Sequence, residues 1–411
     1  MFKYREYQWR IIDQATDICK QYRFVYLAMQ VRTGKTLTSL GLSQVLGCTN
    51  VLFVTKKKAI PSIQEDYFTL NPSFEICIIN YESLHKVSGQ DFDMIILDEA
   101  HTLGAYPKPS KRAKQVKDLI KKHKGSYVCL MSGTPTPESY SQMYHQVYGI
   151  PNNPFNEYVS FYKFAKDYIN IKQRKINALW VNDYSRGYIT ILNNMEPMTI
   201  SFTQKEAGFV NKINEQVLRV KMQSSTYYTA NQLKKYRVVE GKDEVILGDT
   251  PAKLMQKLHQ IYSGTCKFES GSYKVFDLSK AEFIKSYFAN KKIAIFYKFK
   301  AEYEALKTVF GDLLCNNLKD FVISDRHIAL QIVSGREGIS LKQADALVYY
   351  NIDFSATSYW QSRDRMTTKD RTNSKVYWIF SEGGIEKDIY KAVVKKKDYT
   401  VNHFKRDLLI L

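Results

Sequence analysis

Short, unbroken apolar runs punctuate the first 150 residues, separated by longer stretches of mixed polar and apolar character. The runs are Phe24-Val25-Tyr26-Leu27-Ala28, Val51-Leu52-Phe53-Val54, Ile76-Cys77-Ile78-Ile79, Met94-Ile95-Ile96-Leu97 and Tyr127-Val128-Cys129-Leu130. A run that is apolar at every position, rather than every second one, predicts a strand buried on both faces. Such strands alternating with helical stretches predict a parallel α/β sheet covered by helices. In sheets of this kind the working loops sit at the carboxyl ends of the strands. Gly34-Lys35-Thr36, Asp98-Glu99 and Ser132-Gly133-Thr134 each follow a run.

Beyond residue 150 the pattern changes. Pro151, Pro154 and Pro197 interrupt it, 157–169 and 204–223 read as helical, and 236–249 reads as a hairpin with Gly241 and Gly248. The alternation returns with Lys292–Tyr297, Ala329–Val333, Ala346–Tyr350 and Val376–Phe380. The expected organisation is a first α/β lobe over 1–150, a mainly helical insertion and linker over 151–275, and a second α/β lobe over 276–411. No internal repeat or low-complexity tract is visible.

Composition narrows the partners. Lys and Arg number 60 against 41 Asp and Glu, a formal charge of +19, and an excess of that size suits a polyanion, usually nucleic acid. The six cysteines are widely spaced with no CxxC pair, which argues against a zinc site and against a disulfide framework. No apolar stretch approaches the roughly 20 residues needed to span a bilayer. Met1–Glu6 has no signal-peptide core, so an intracellular, cytoplasmic or nucleoid-associated setting is expected. The 30 Tyr and 22 Phe are expected to fill cores for the most part, with some stacking on bases.

Two motifs carry the chemistry. Arg32-Thr33-Gly34-Lys35-Thr36 lies between a strand and a helix. Such a loop offers backbone N–H groups and a helix N-terminus to phosphates. Lys35 would reach the β- and γ-phosphates of ATP, and the Thr36 hydroxyl would bind Mg²⁺. The glycine usual five residues before Gly34 is Met29 here, and Arg32 stands where glycine is frequent. Downstream, Asp98 and Glu99 follow four apolar residues. Asp98 would complete the Mg²⁺ shell and Glu99 would polarise the attacking water. The two motifs in this order are the halves of a P-loop NTPase site.

Asp98-Glu99-Ala100-His101 together with Ser132-Gly133-Thr134-Pro135 resembles motifs II and III of superfamily-two helicases. Arg5-Glu6-Tyr7-Gln8 resembles the start of that family, where a glutamine reads adenine. Asn80-Tyr81-Glu82-Ser83-Leu84 and Lys108–Lys114 resemble the Swi/Snf-type translocases. Gly335–Leu341 resembles motif V, and Tyr359–Arg365 the start of motif VI. Compact size and the insertion suggest a viral or phage version.

The resemblance implies two RecA-like lobes, ATP bound with Mg²⁺, and nucleic acid as partner. It assigns Gln8, Arg32, Thr33, Gly34, Lys35, Thr36, Gly338 and Arg365 to the nucleotide, Thr36 and Asp98 to the metal, and Lys35, Asp98, Glu99, Gln361 and Arg365 to catalysis. Motif VI departs from the family pattern. Gln361 and Arg365 fit, but Thr368 stands where a second arginine is usual, with Lys369 and Arg371 as the nearest cations, and Arg363 and Arg371 read alternatively as plain surface residues. Lys56 and Lys57 resemble motif Ia and, with Asn80, Tyr81 and Ser334, are candidates for contact with the nucleic-acid backbone; Lys395-Lys396-Lys397 is a further one. Backbone contacts position a strand and carry no base code.

The expected activity is an ATP-dependent DNA translocase or helicase acting on duplex or branched DNA in replication, recombination or repair. The alternatives are an RNA helicase and a motor subunit of a larger nuclease or remodelling complex.

Overall fold

The computed structural model describes residues 3–395, apart from 88, 177–178, 210–211, 242–243, 336–338 and 369–370. The chain divides into two units, one running to Gly208 and the other from Phe209 to Lys395. Among the described residues no helix is long and apolar enough to cross a membrane.

The first unit opens with helix α1 (Glu6–Tyr22), which ends at Arg23 in the left-handed region. Strand β1 (Phe24–Met29) and helix α2 (Lys35–Val45) follow. Next come β2 (Asn50–Thr55), α3 (Ile60–Leu70), β3 (Glu75–Asn80) and β4 (Met94–Leu97). Helix α4 (Lys111–Lys122) is capped by Ser110, whose hydroxyl accepts the Ala113 N–H, and β5 (Tyr127–Met131) succeeds it. Helices α5 (Met143–Val147) and α6 (Phe161–Tyr168), the pair β6 (Lys172–Ile176) and β7 (Leu179–Asp183), α7 (Thr190–Met195) and β8 (Thr199–Phe202) complete the unit.

Its six-stranded sheet has the order β3-β2-β4-β5-β1-β8, and every pairing is parallel. All residues of β1 and β4 are buried, as their unbroken apolar runs require. On one face the core continues into an aromatic cluster, with Phe164 4.8 Å from Tyr144 and 4.9 Å from Tyr168 between ring centres. Many of the tyrosines and phenylalanines therefore serve packing. The cysteines are free, and all but the half-buried Cys77 are buried.

The second unit begins with β9 (Lys212–Val220), α8 (Ser224–Tyr236) and the hairpin of β10 (Val238–Glu240) and β11 (Val245–Leu247). Helix α9 (Pro251–Ile261), the pair β12 (Thr265–Lys267) and β13 (Tyr273–Val275), and α10 (Ser279–Tyr287) follow. Then come β14 (Ile293–Tyr297), α11 (Lys300–Phe310), β15 (Leu314–Cys315), α12 (Leu318–Ile323), β16 (His327–Gln331) and α13 (Ile332–Gly335). The unit closes with β17 (Ala346–Tyr349), α14 (Ala356–Arg363), β18 (Asn373–Ser381) and α15 (Glu386–Lys395). Its sheet, β15-β16-β14-β17-β18-β9, is parallel throughout.

The fold class is the expected one: two parallel sheets, each covered by helices. The stretch 151–275, expected as a helical insertion and linker, is instead shared between the units. It supplies an edge strand to each sheet, β8 to the first and β9 to the second. The expected helix over 204–223 is corrected in the same way, because Lys212–Val220 is a strand paired along its whole length with β18. Exposed and partly buried positions alternate along its first half, the period of a strand with one covered face.

Asp277, just before α10, ties two helix starts together. Its buried carboxylate accepts from the N–H groups of Gln223 (2.8 Å) and Ser279 (2.9 Å) and from the Thr226 hydroxyl. Burial pushes this carboxyl up, but the hydrogen bonds outweigh burial and hold it below its ordinary value.

Candidate functional site

The loop between β1 and α2 is shaped by two left-handed residues, Arg32 (φ 65°) and Gly34 (φ 83°). Glycine is required at 34 for a second reason. A Cβ there would lie 2.5 Å from Nε2 of Gln8. Gln8 is buried on the first turn of α1, where its Oε1 accepts the Arg5 N–H (2.9 Å) and its Nε2 reaches the Gly34 carbonyl (3.5 Å). The buried Thr33 closes the turn by donating its hydroxyl to the Gln30 carbonyl (2.7 Å). The Lys35 ammonium donates to the carbonyls of Met29 (3.1 Å) and Gln30 (3.3 Å). Thr36 is half-buried in the first turn of α2.

The loop also has supports that lie far from it in sequence. Tyr7 donates its hydroxyl to the Thr33 carbonyl (3.1 Å) and stacks on Phe202 at the end of β8. Gln204 donates its backbone N–H to Gln30 Oε1 (2.9 Å) and its side-chain amide to the Val31 carbonyl (3.0 Å). Their spatial partners lie more than 170 residues away in sequence, except for Tyr7, which is 26 residues from Thr33.

Asp98 extends β4 by one residue, its N–H donating to the Val54 carbonyl of β2 (2.9 Å). Its Oδ2 accepts from the Thr55 hydroxyl (2.8 Å), and its carbonyl accepts from the Tyr81 hydroxyl (2.6 Å). The Asp98 carboxyl is pushed up to about 6, by burial first and then by the charge of Glu99, against the pull of Lys35 and Thr55. Lys35 and Asp98 are thus electrostatic neighbours. Glu99 sits at φ 51°, ψ 43°, a conformation that costs a non-glycine residue about 1–3 kcal/mol. Its carboxylate lies 3.2 Å from His101 Nδ1, which also lies 2.9 Å from the Ser132 hydroxyl oxygen. That oxygen accepts the Thr134 N–H (3.1 Å), so the loops after β4 and β5 are joined.

These side chains suit a magnesium nucleotide. Among the described residues no cluster of three or more His, Cys, Asp and Glu makes a protein cage for a metal. One carboxylate, Asp98, and one hydroxyl, Thr36, form a hard oxygen set of the kind that holds Mg²⁺ together with phosphate oxygens and water. The lysine and the start of an 11-residue helix provide the positive end for phosphates.

The candidate nucleic-acid residues divide. Lys57 is exposed on a short turn after β2, with Lys56 half-buried before it. Asn80 is half-buried at the end of β3 and donates to Glu82 (2.9 Å). Tyr81 is corrected: it is 1% exposed, and its hydroxyl faces Asp98 rather than solvent. Burial of the ring under α4 withdraws it from any external strand.

In the second unit Arg365 is buried. Its guanidinium donates to the Ile339 carbonyl (3.4 Å), and its own carbonyl accepts the Leu341 N–H (2.9 Å). Arg363 pairs with Glu215 of β9 at 2.7 Å. Arg371 donates to the carbonyls of Ala344 (2.7 Å), Met366 (3.3 Å) and Lys342 (3.5 Å), so its guanidinium fastens a loop. Gly338 and Lys369 lie outside the described residues, as do the side chains of Gln361 on α14 and Ser334 on α13.

The family model described as SNF2-related domain matches residues 25–266, from β1 to β12, and so takes in Lys35, Asp98 and Glu99. No curated protein matches the chain. Among solved structures the chain is similar to the Sulfolobus solfataricus SWI2/SNF2 ATPase core in complex with dsDNA. The two share 14% identity over 100% of this chain and 94% of that one, with a TM-score of 0.43.

Proposed function

Because the chain belongs to the SNF2-related family, we propose that it is an ATP-driven motor that moves along duplex or branched DNA during replication, recombination or repair. The observation that carries this reading is the convergence of Lys35 and the Asp98-Glu99 pair at the carboxyl ends of β1 and β4. Bound ATP and Mg²⁺ supply the phosphoanhydride to be cleaved and a Lewis acid at its oxygens. Lys35 brings positive charge to the phosphates, while Gln8 and the loop 32–36 hold the nucleotide in place. The Thr36 hydroxyl and the Asp98 carboxylate hold the ion, and Thr55 keeps that carboxylate oriented. Glu99 accepts the proton of the attacking water. Arg365, with Gln361 and Gly338, is assigned to the γ-phosphate side by the family pattern. Lys56, Lys57 and Asn80 are assigned to DNA phosphates, with Ser334 in the second unit.

The test is the rate of ATP hydrolysis by the full chain with no nucleic acid, single-stranded DNA, duplex DNA, forked DNA and RNA. Stimulation by duplex or forked DNA is expected. Stimulation by RNA alone, or hydrolysis indifferent to every nucleic acid, would overturn the reading.

A further inference from the structure

Tyr81 links an exposed charge pair to the backbone of the Asp98-Glu99 loop. On its outer side the Arg112 guanidinium lies 4.9 Å from the Tyr81 ring centre and pairs with Glu82 at 2.5 Å. Glu82 is itself held by Asn80, and Tyr81, Glu82 and Arg112 line a 370 Å³ hollow with Ser110, Lys111 and Gln115. On its inner side the buried Tyr81 hydroxyl donates 2.6 Å to the Asp98 carbonyl. The next residue is Glu99, in its left-handed conformation. One rigid ring therefore separates a guanidinium open to an incoming phosphate from the peptide that aims the catalytic carboxylate.

We infer that Tyr81 is a positioning residue through which bound nucleic acid reaches the Asp98-Glu99 loop. The inference rests on the ATPase reading above and adds its regulation. A nucleic-acid phosphate competes with Glu82 for Arg112. The guanidinium follows the phosphate, its hold on the face of the Tyr81 ring changes, and the hydroxyl carries that change to the Asp98 carbonyl. The Glu99 backbone, held at φ 51° in a conformation that is strained for a non-glycine residue, is assigned as the switch element. Tyr81 does not itself touch the strand, since its ring is buried.

The test compares the full-length parent with Tyr81→Phe, which keeps the ring and its packing but removes the bond to Asp98. Three quantities are measured: ATP turnover without and with saturating duplex DNA, the dissociation constant for duplex, and amide hydrogen exchange over residues 94–104. In Tyr81→Phe the ratio of stimulated to unstimulated turnover is expected to fall about tenfold, within the ordinary range for coupled sites. Duplex affinity is expected to stay at the parent value. Duplex is expected to alter exchange at residues 98–100 in the parent and not in Tyr81→Phe. Arg112→Ala, a change at the surface rather than in the core, is expected to lower the ratio as well and keeps the test open if Tyr81→Phe folds poorly. An unchanged ratio in both variants overturns the inference. So does a loss of duplex affinity in Tyr81→Phe with normal stimulation at saturation, which would make Tyr81 a contact residue. The exchange readout needs binding alone. A parent whose 98–100 amides respond to duplex without ATP turnover would refute the ATPase reading and leave the Tyr81 link standing.

Discussion

The Glu215 carboxylate on the edge strand β9 and the Arg363 guanidinium at the end of α14 meet at 2.7 Å. The same carboxylate also accepts from the Tyr359 hydroxyl (2.6 Å) and the Trp378 indole N–H (3.0 Å). Trp378 stacks in turn on Tyr349 and Tyr359. A single acidic side chain thus fastens α14, which bears Gln361 and leads into Arg365, to strands on the far edge of its sheet.

Glu215→Ala is expected to destabilise the second unit by about 3 kcal/mol, because it removes the carboxylate that a largely buried guanidinium and two aromatic donors share. Glu215→Gln, which keeps an acceptor, is expected to recover part of that loss. Chemical denaturation followed by tryptophan fluorescence measures both. Equal stability of parent and Glu215→Ala would show that the cluster contributes nothing net.

Arg365→Ala and Arg371→Ala are expected to fail in different ways. A cation acting at the γ-phosphate is worth about 10³–10⁵ in rate, so Arg365→Ala loses DNA-stimulated hydrolysis while retaining ATP binding. Arg371 is spent on three backbone carbonyls of its own unit. Arg371→Ala therefore lowers the melting temperature, and turnover per folded molecule survives. Turnover by Arg365→Ala equal to the parent's would remove Arg365 from the mechanism.

Glu99→Gln keeps the shape of the side chain and discards its basicity. Turnover is expected to drop by about 10²–10⁴ with ATP binding intact. Nucleotide titration beside steady-state kinetics separates the two effects. Loss of binding itself would make Glu99 structural.

Asp277 gives a pH signature. Its folded value lies below the ordinary 3.8, so its stabilisation is present above 3.8 and disappears as pH falls through the lowered folded value. Asp277→Asn is expected to melt lower than the parent at pH 7 by the equivalent of about 1–3 kcal/mol, with the gap closing as pH falls below 3.8. A gap of constant size across that range would count against the assignment.

With a formal charge of +19, binding to duplex is expected to weaken linearly in log salt, by about 0.9 log units per phosphate contact. A flat salt response would point to contacts of another kind.

What the sequence disclosed follows burial. Strands β1, β2, β4, β5, β14, β17 and β18 were legible as apolar runs because both faces of each sheet are covered. The edge strand β9 has one covered face and carries Lys212, Glu215 and Arg219, so it shows no apolar run and reads as helical in sequence. In the candidate site, the Gly-Lys-Thr and Asp-Glu-Ala-His segments were legible because each is a contiguous group of residues shortly after an apolar strand. Gln204, Thr55 and Glu215 were not, since each acts across a gap in sequence and carries no local pattern. Tyr81 was misread because a tyrosine after a strand looks the same in sequence whether it turns outward or inward.

The register of β9 bears on how the protein is made. As the chain leaves the ribosome, the first sheet is complete once Phe202 has emerged. Strand β9 follows almost at once, yet its partner is Asn373–Ser381, so it must wait unpaired while some 150 further residues are synthesised. Until then an amphipathic strand with an open edge is offered to whatever is nearby, which makes this stretch a natural client for chaperones. A recombinant fragment ending near Gly208 would keep its sheet whole, whereas any ending between Val220 and Thr372 would carry β9 without the strand it pairs with.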